Sequence, residues 1–381
     1  MKIVTAVDSF KGSLSSMEAA EAIANGIRCV FPRAEIQRFP LADGGEGTVE
    51  TILSAQKGVR KSIDAQDPLG RMINVTYGIL PQSRTAVLEM AAAAGLPLLK
   101  PEERNPLFTD TYGVGQILLD ALDHGCRDFI IGIGGSATND GGVGMLRALG
   151  FAFLNEAGEA IPRGGIGLRD LRSVRADKAD PRLKDCRFRV ACDVTNPLCG
   201  ERGCSHVFAP QKGADEVTVR QMDAWLESYH KITKAVLPNA NDTFPGSGAA
   251  GGLGYALHTY LGAELTSGIQ LILEELGLEE AITNADLVIT GEGRMDGQSA
   301  MGKAPVGVAQ LAKKHGKTVI AFCGCATEDA GLCNTYGIDA IFPILRVPCT
   351  VEEAMEPLTA TQNLKLTAEQ VFRLIKANLQ I

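Results

Sequence analysis

The chain opens on an apolar run, Ile3-Val4-Thr5-Ala6-Val7, broken by Asp8, which predicts a short first strand. After a polar loop, Ala20, Ile23, Ala24, Ile27 and Phe31 recur at helical spacing behind Ser15-x-x-Glu18, which has the form of a capping box. Residues 35–40 read as a second strand feeding Ala42-Asp43-Gly44-Gly45-Glu46-Gly47 and a helix through Val49, Ile52 and Leu53. This strand–helix–strand–helix order predicts a parallel sheet. Short β-rich segments at 59–65, 73–80 and 86–90 then follow at hairpin spacing, so a domain boundary is expected near Asp67-Pro68. Residues 129–133 and 187–192 read as buried strands, and 217–237 as a long helix. The alternation returns with a strand at 287–290, a helix from Pro305, and strands at 318–322 and 340–342. The pattern predicts two α/β domains. A doubly wound parallel-sheet domain is made of both chain ends, residues 1–66 and 285–381, and a second α/β domain, residues 67–284, is inserted in the middle.

Composition narrows the function classes. A hydrophobic fraction of 45% over 381 residues is enough for real cores. The net charge of −8 argues against nucleic acid or a membrane surface as partner, since both need a dense basic face. A small anionic substrate stays open, because one local Lys or Arg cluster suffices for it. No apolar run approaches a transmembrane helix, and the first strand is too short for a signal peptide, so a cytoplasmic protein is expected. The ten cysteines contain no C-x-x-C; Cys199, Cys204 and His206 approach metal spacing without an evident fourth ligand. Reduced thiols are therefore expected rather than zinc. Homo-oligomerisation is left open.

Four polar, glycine-bearing loops follow expected strands, at 8–13, 43–47, 134–142 and 291–302. Open parallel sheets bind ligands beyond the carboxyl ends of their strands. In Gly132-Ile133-Gly134-Gly135-Ser136-Ala137-Thr138-Asn139-Asp140-Gly141-Gly142, amides at a helix start and two hydroxyls suit phosphate oxygens; a tight strand-to-helix turn is the plainer reading. Gly246-Ser247-Gly248-Ala249-Ala250-Gly251 matches the dinucleotide fingerprint, but residues 239–242 before it are no strand. Lining of a nucleotide pocket and close helix packing both remain for it. Gly297-x-x-x-x-Gly302-Lys303 nearly completes a Walker A loop, yet Ala304 stands where a hydroxyl should hold magnesium, and the strand is expected to end at Thr290. The P-loop fold is rejected, and Lys303 is either a phosphate-facing cation or a solvated lysine. Carboxylates expected in loops after strands are Asp8, Asp43, Glu46, Asp140, Asp193, Glu292 and Asp296, with Asp193 delivered by an apolar strand.

Asp8-Ser9-Phe10-Lys11-Gly12-Ser13-Leu14-Ser15, Ala42-Asp43-Gly44-Gly45-Glu46-Gly47-Thr48, the 134–142 loop, Cys192-Asp193-Val194-Thr195-Asn196-Pro197, Pro210-Gln211-Lys212-Gly213-Ala214 and Thr290-Gly291-Glu292-Gly293-Arg294 together resemble the bacterial glycerate kinases of the glycerate 2-kinase type. The resemblance covers essentially the whole chain. It implies phosphorylation of D-glycerate by ATP with Mg2+ to phosphoglycerate, foremost 2-phosphoglycerate, in glyoxylate or sugar-acid catabolism. It also implies one flavodoxin-like and one Rossmann-like or nuclease-like domain with a cleft between them. Val7 stands where Pro is expected before Asp8, and Gly324-Cys325 where Gly-Ser is common, which puts a hydroxyl role there in doubt.

Under this reading Lys11, Arg71 and Arg294 are cations for carboxylate or phosphate, and Asp8 and Ser9 line the substrate. Asp43 is the base, while Asp193, Asp140 and Glu292 are assigned to magnesium, Asp193 also to catalysis. Gly134, Gly135, Ser136, Thr138, Asn139, Lys212, Gly248 and Lys303 are assigned to the nucleotide. The rivals are a nicotinamide-dependent oxidoreductase of a small hydroxy acid and a non-enzymatic sugar-acid binding protein. The first lacks a clear strand–fingerprint–helix unit, and the second lacks a helix-turn-helix or secretion signal.

Overall fold

A strand covered on both faces needs apolar residues at odd and even positions alike, and the opening segment is such a strand. In the computed structural model, which describes residues 1–42 and 47–378, Ile3 and Val7 enter one core while Val4 and Ala6 enter another. In chain order the strands are β1 (Lys2–Val7), β2 (Glu35–Pro40), β3 (Val59–Gln66), β4 (Met72–Leu80), β5 (Thr85–Glu89), β6 (Asp128–Gly132), β7 (Ala152–Leu154), β8 (Ser173–Arg175), β9 (Arg187–Ala191), β10 (Glu264–Thr266), β11 (Leu287–Met295), β12 (Thr318–Ala326) and β13 (Ala340–Pro343).

The chain forms two compact units, Met1–Asp43 with Ile269–Ile381, and Gly44–Gly268. The first is a five-stranded sheet in the order β13-β12-β11-β1-β2, parallel throughout. On one face lie the helices Ser16–Arg28 and Pro357–Asn378, which bury Ile23, Ile27, Leu364 and Phe372. They approach closely at Gly26, where a Cβ would sit 2.3 Å from the Lys365 carbonyl oxygen. The first helix starts as its sequence predicts, with Ser15 and Glu18 capping each other's backbone N–H. The helices Gly268–Glu275 and Ala304–Lys314 cover the other face with Ile269, Ile272, Val306 and Val308.

The second unit holds a six-stranded sheet, β10-β9-β6-β5-β4-β3. Its β5, β6, β9 and β10 run parallel, and β4 and β3 extend it antiparallel. Phe129 and Phe188 stack across β6 and β9 with ring centroids 4.9 Å apart. The mixed α/β class with parallel sheets is the one the sequence predicts.

The unit limits differ from those read in the sequence. The expected first domain reached residue 66, but residues 59–66 are β3, whose ladder partner is β4 in the second sheet. The expected insert ran to residue 284, yet Leu278 and Ile282 pack into the first unit's core. Periodicity identifies an element but not the sheet or core that it joins.

Candidate active site

In a doubly wound sheet the connections diverge where the strand order reverses, opening a crevice at the carboxyl edge. In the first unit this falls between β1 and β11. The Asp8 amide donates to the Gly291 carbonyl across that seam (2.8 Å). The following loop is pinned by Phe10 and Leu14 amide–carbonyl bonds and by the Ser13 amide on Phe10, which leaves Lys11 exposed at its tip. Gly293 of β11 packs against this loop, with a Cβ there only 3.2 Å from Phe10 Cα. Glu292 is 8% exposed and accepts a short bond from the Ser299 hydroxyl. Burial pushes its carboxyl above the usual range; Ser299 and Lys303 pull it down, while Asp8 and Asp296 push it further up. Asp8, Glu292, Asp296, Ser299 and Lys303 therefore form one coupled set. Arg294 is 65% exposed, its Nε 3.5 Å from Asp296 Oδ2.

The strand β11 runs to Met295 rather than stopping at Thr290. Residues 296–303 thus connect strand directly to helix, and the strand argument against a Walker A loop falls. Ala304 in place of the hydroxyl still stands against one. Lys303 is the residue that caps the helix Ala304–Lys314 and is half-buried. Asp43, the expected base, and Glu46 lie outside the described residues.

In the second unit, β5, β6, β9 and β10 end at one edge. The loop after β6 is held by the Leu96 amide on the Gly135 carbonyl (2.9 Å) and the Ala137 amide on the Ala94 carbonyl (2.8 Å). Gly135 has φ 72°, a left-handed turn that suits glycine. Gly134 and Gly135 are exposed, and among the described residues the amides of Gly134, Gly135 and Ser136 meet no acceptor. Asp193 is exposed at the end of β9, its Oδ1 accepting from the Ser267 hydroxyl (3.1 Å) and the Gly268 amide (2.9 Å).

Several expected site residues have other work. Asp140 is 1% exposed and accepts from the Gly142 and Gly144 amides, the Thr111 amide (each 3.0 Å) and the Thr111 hydroxyl (2.8 Å). Its carboxylate fills the start of the next helix, so it is no open magnesium ligand, and that helix start is closed to phosphate. Thr138 and Asn139 are fully buried; the Asn139 amide donates to Ser205 Oγ at 3.0 Å. Lys212 is 1% exposed, beneath the loop rather than facing solvent. The Gly248 amide donates to the Asn196 carbonyl, and a Cβ there would lie 2.2 Å from the Pro197 oxygen, so close packing explains that glycine. Arg71 is clamped by Asp67 (2.5 Å), Glu103 (2.7 Å) and the Leu98 carbonyl (3.3 Å). Sequence reasoning missed Glu89, which closes β5 and accepts from the Val49 amide (3.1 Å), and Ser267. The rule that singled out Asp193, a polar residue delivered by an apolar strand, applies equally to Glu89.

Exposed loop amides on one parallel edge, with carboxylates and lysines on another, are the equipment of a phosphotransferase, which needs cations and donors for phosphate and carboxylates for metal and hydroxyl. The chain belongs to the glycerate kinase family, whose pattern it matches over residues 3–376. It is 49% identical to the glycerate 2-kinase of Escherichia coli K12 over 93% of each chain. It is 44% identical to a Bacillus subtilis glycerate kinase over 99% of this chain and 98% of that one. The crystal structure of a protein provisionally named glycerate kinase 2, from Salmonella typhimurium LT2, superposes with a TM-score of 0.91 at 44% identity over the full length of both. The activity is that of an ATP-using glycerate kinase. No described helix is long and apolar enough to cross a membrane.

Proposed function

We propose that this enzyme transfers the γ-phosphoryl group of ATP to the 2-hydroxyl of D-glycerate, in the cytoplasm and within glyoxylate or sugar-acid catabolism. The observation that carries the reading is the β1/β11 edge, where Lys11, Arg294 and Lys303 stand among Asp8, Glu292 and Asp296. Glycerate is a small carboxylate with two hydroxyls. Lys11 and Arg294, both exposed, bind its carboxylate or the transferring phosphoryl group, and Asp8 and Ser9 line the acceptor. Asp43 is the base that takes the hydroxyl proton. Arg71, neutralised by two carboxylates, has no such part. The Gly134 and Gly135 amides and the Ser136 hydroxyl hold the nucleotide phosphates. The 2-position follows the name of the Escherichia coli relative.

Magnesium is implied by ATP chemistry, and the residues fit it. Mg2+ usually takes one or two carboxylates plus phosphate oxygens and waters. Among the described residues no cluster of three or more His, Cys, Asp or Glu could cage it alone. Asp193 is exposed, with one oxygen oriented by Ser267 and Gly268, which suits a single ligand. Glu292 is the second candidate. Bound there, the ion would offset charge on the phosphates.

The test is an ADP-release assay with ATP, magnesium and a panel of D-glycerate, L-glycerate, lactate and tartronate. Turnover led by D-glycerate is expected. Turnover of another hydroxy acid with D-glycerate inert would overturn the substrate but spare the kinase.

A further inference from the structure

The strongest unexplained feature is a buried lysine that, among the described residues, has no carboxylate hydrogen-bonded to it. Lys212 ends a short turn, Pro210–Lys212, and its Nζ donates to Ser136 Oγ (2.8 Å) and to the Thr138 carbonyl (2.6 Å). Neither acceptor is charged. Burying an ammonium without a hydrogen-bonded carboxylate is unfavourable unless a further anion completes the site. The open loop directly above it, Gly134–Gly135–Ser136, is where such an anion would sit.

Donor chemistry sharpens this. A lysine ammonium only donates, whereas a serine hydroxyl both donates and accepts. With Lys212 bound at a lone pair of Ser136 Oγ, the serine proton must be directed elsewhere, and among the described residues nothing accepts it. We propose that Lys212 is a positioning residue of the phosphate loop. By holding the Ser136 oxygen from beneath, it turns the Ser136 proton outward as a third donor beside the Gly134 and Gly135 amides. Its own charge polarises that donor from within. The idea rests on the reading of this loop as the nucleotide-phosphate site.

Titration supports the geometry. Burial lowers the Lys212 ammonium to about 8. The titratable groups bearing on it are the Cys204 thiol, pushed up to about 12 by burial, and the Asp140 carboxylate, held by Thr111, Gly142 and Gly144. Burial and the nearby Asp110 charge raise the Asp140 carboxyl, while the bonds from Gly144 and Thr111 lower it; Lys212 is the group that touches the loop directly, through Ser136 and Thr138. A bound phosphate favours the protonated form, so nucleotide affinity should fall as pH rises through about 8.

The experiment measures ADP dissociation constants by calorimetry on the full-length enzyme between pH 7 and 9.5. The variants are Lys212→Met, Ser136→Ala, the double variant and Gly135→Val. Each single change at Lys212 or Ser136 should weaken ADP on the order of tenfold at pH 7, and the double variant no further, because both act through one hydroxyl. The pH dependence should vanish in Lys212→Met and shrink in Ser136→Ala. Additive losses, or an unchanged pH profile in Lys212→Met, would overturn the proposal. Should Lys212→Met misfold, Ser136→Ala still decides: full affinity with a wild-type pH profile overturns it. Gly135→Val separates the two ideas. If it weakens ADP while Lys212→Met and Ser136→Ala do not, the loop reading stands and the lysine role falls. If none of the variants changes affinity, the loop reading itself falls.

Discussion

The carboxyl edges of the two sheets present charge and hydrogen-bond donors by different means. At the β1/β11 edge the charge sits on side chains: Lys11 and Arg294 are exposed, and Asp8, Glu292, Asp296 and Lys303 are coupled. At the second sheet's edge the donors are backbone amides, with the carboxylates Asp193 and Glu89 and a lysine hidden below. Flexible charged side chains can follow a group as it moves and gains charge, whereas fixed amides suit an anion that keeps its place. Under the proposed function, the first edge serves the reacting groups and the second the nucleotide phosphates.

The sharpest way to break that assignment is Asp193→Asn. If Asp193 holds magnesium as proposed, kcat should fall about a thousandfold and the magnesium requirement rise, with the thermal midpoint unchanged. Wild-type magnesium dependence would make Asp193 a mere cap for the Gly268 amide.

Lys11→Met comes next, with an expected loss on the order of 2–4 kcal/mol in kcat/KM and no change in melting. Steady-state kinetics then divide the role: a raised KM for glycerate alone means anchoring, and a lowered kcat means help to the moving phosphoryl group. Unchanged kinetics would leave Lys11 with no part in the reaction.

Asp140→Ala tests the opposite kind of residue. Four donors lose one buried acceptor, so stability should drop by about 2–3 kcal/mol in denaturant unfolding. The magnesium concentration giving half-maximal rate should stay put in the fraction that remains folded. A shifted magnesium dependence with normal stability would restore Asp140 as a ligand.

The smallest effect concerns Glu292→Gln. Because burial raises the folded-state pKa, the native protein holds a proton that the unfolded chain has already lost. Wild-type stability therefore declines as pH rises from the ordinary carboxyl range through the raised value. The Gln variant lacks this decline, so its melting advantage should widen from pH 4 to pH 7. A gap that narrows instead would mean that Glu292 is stabilised in its charged form.

The mixed α/β class with parallel sheets was legible in the sequence; which loop residues reach solvent was legible only in part. Lys11 and Asp193 could be singled out because each comes shortly after an apolar strand, and Arg294 through the motif at 290–294; the structure exposes all three. What failed was accessibility within a loop. Thr138, Asn139 and Asp140 share a string with Gly134 and Gly135 and look equally available. The structure buries the first three, with Asp140 accepting from the amide and hydroxyl of Thr111, far away in sequence. Gly248 misled for a related reason: glycine marks close approach, whether to a ligand or, as here, to the Pro197 carbonyl. The strand β11 was read too short because Gly291 and Gly293 look like loop residues, yet both lie within it.

The most direct measurement is a proton-coupled phosphorus NMR spectrum of the product formed from ATP, magnesium and D-glycerate. Phosphate on the 2-oxygen couples to one carbon-bound proton and phosphate on the 3-oxygen to two. The account predicts a doublet growing in step with ADP. A triplet, or ADP release that does not depend on glycerate, would contradict it.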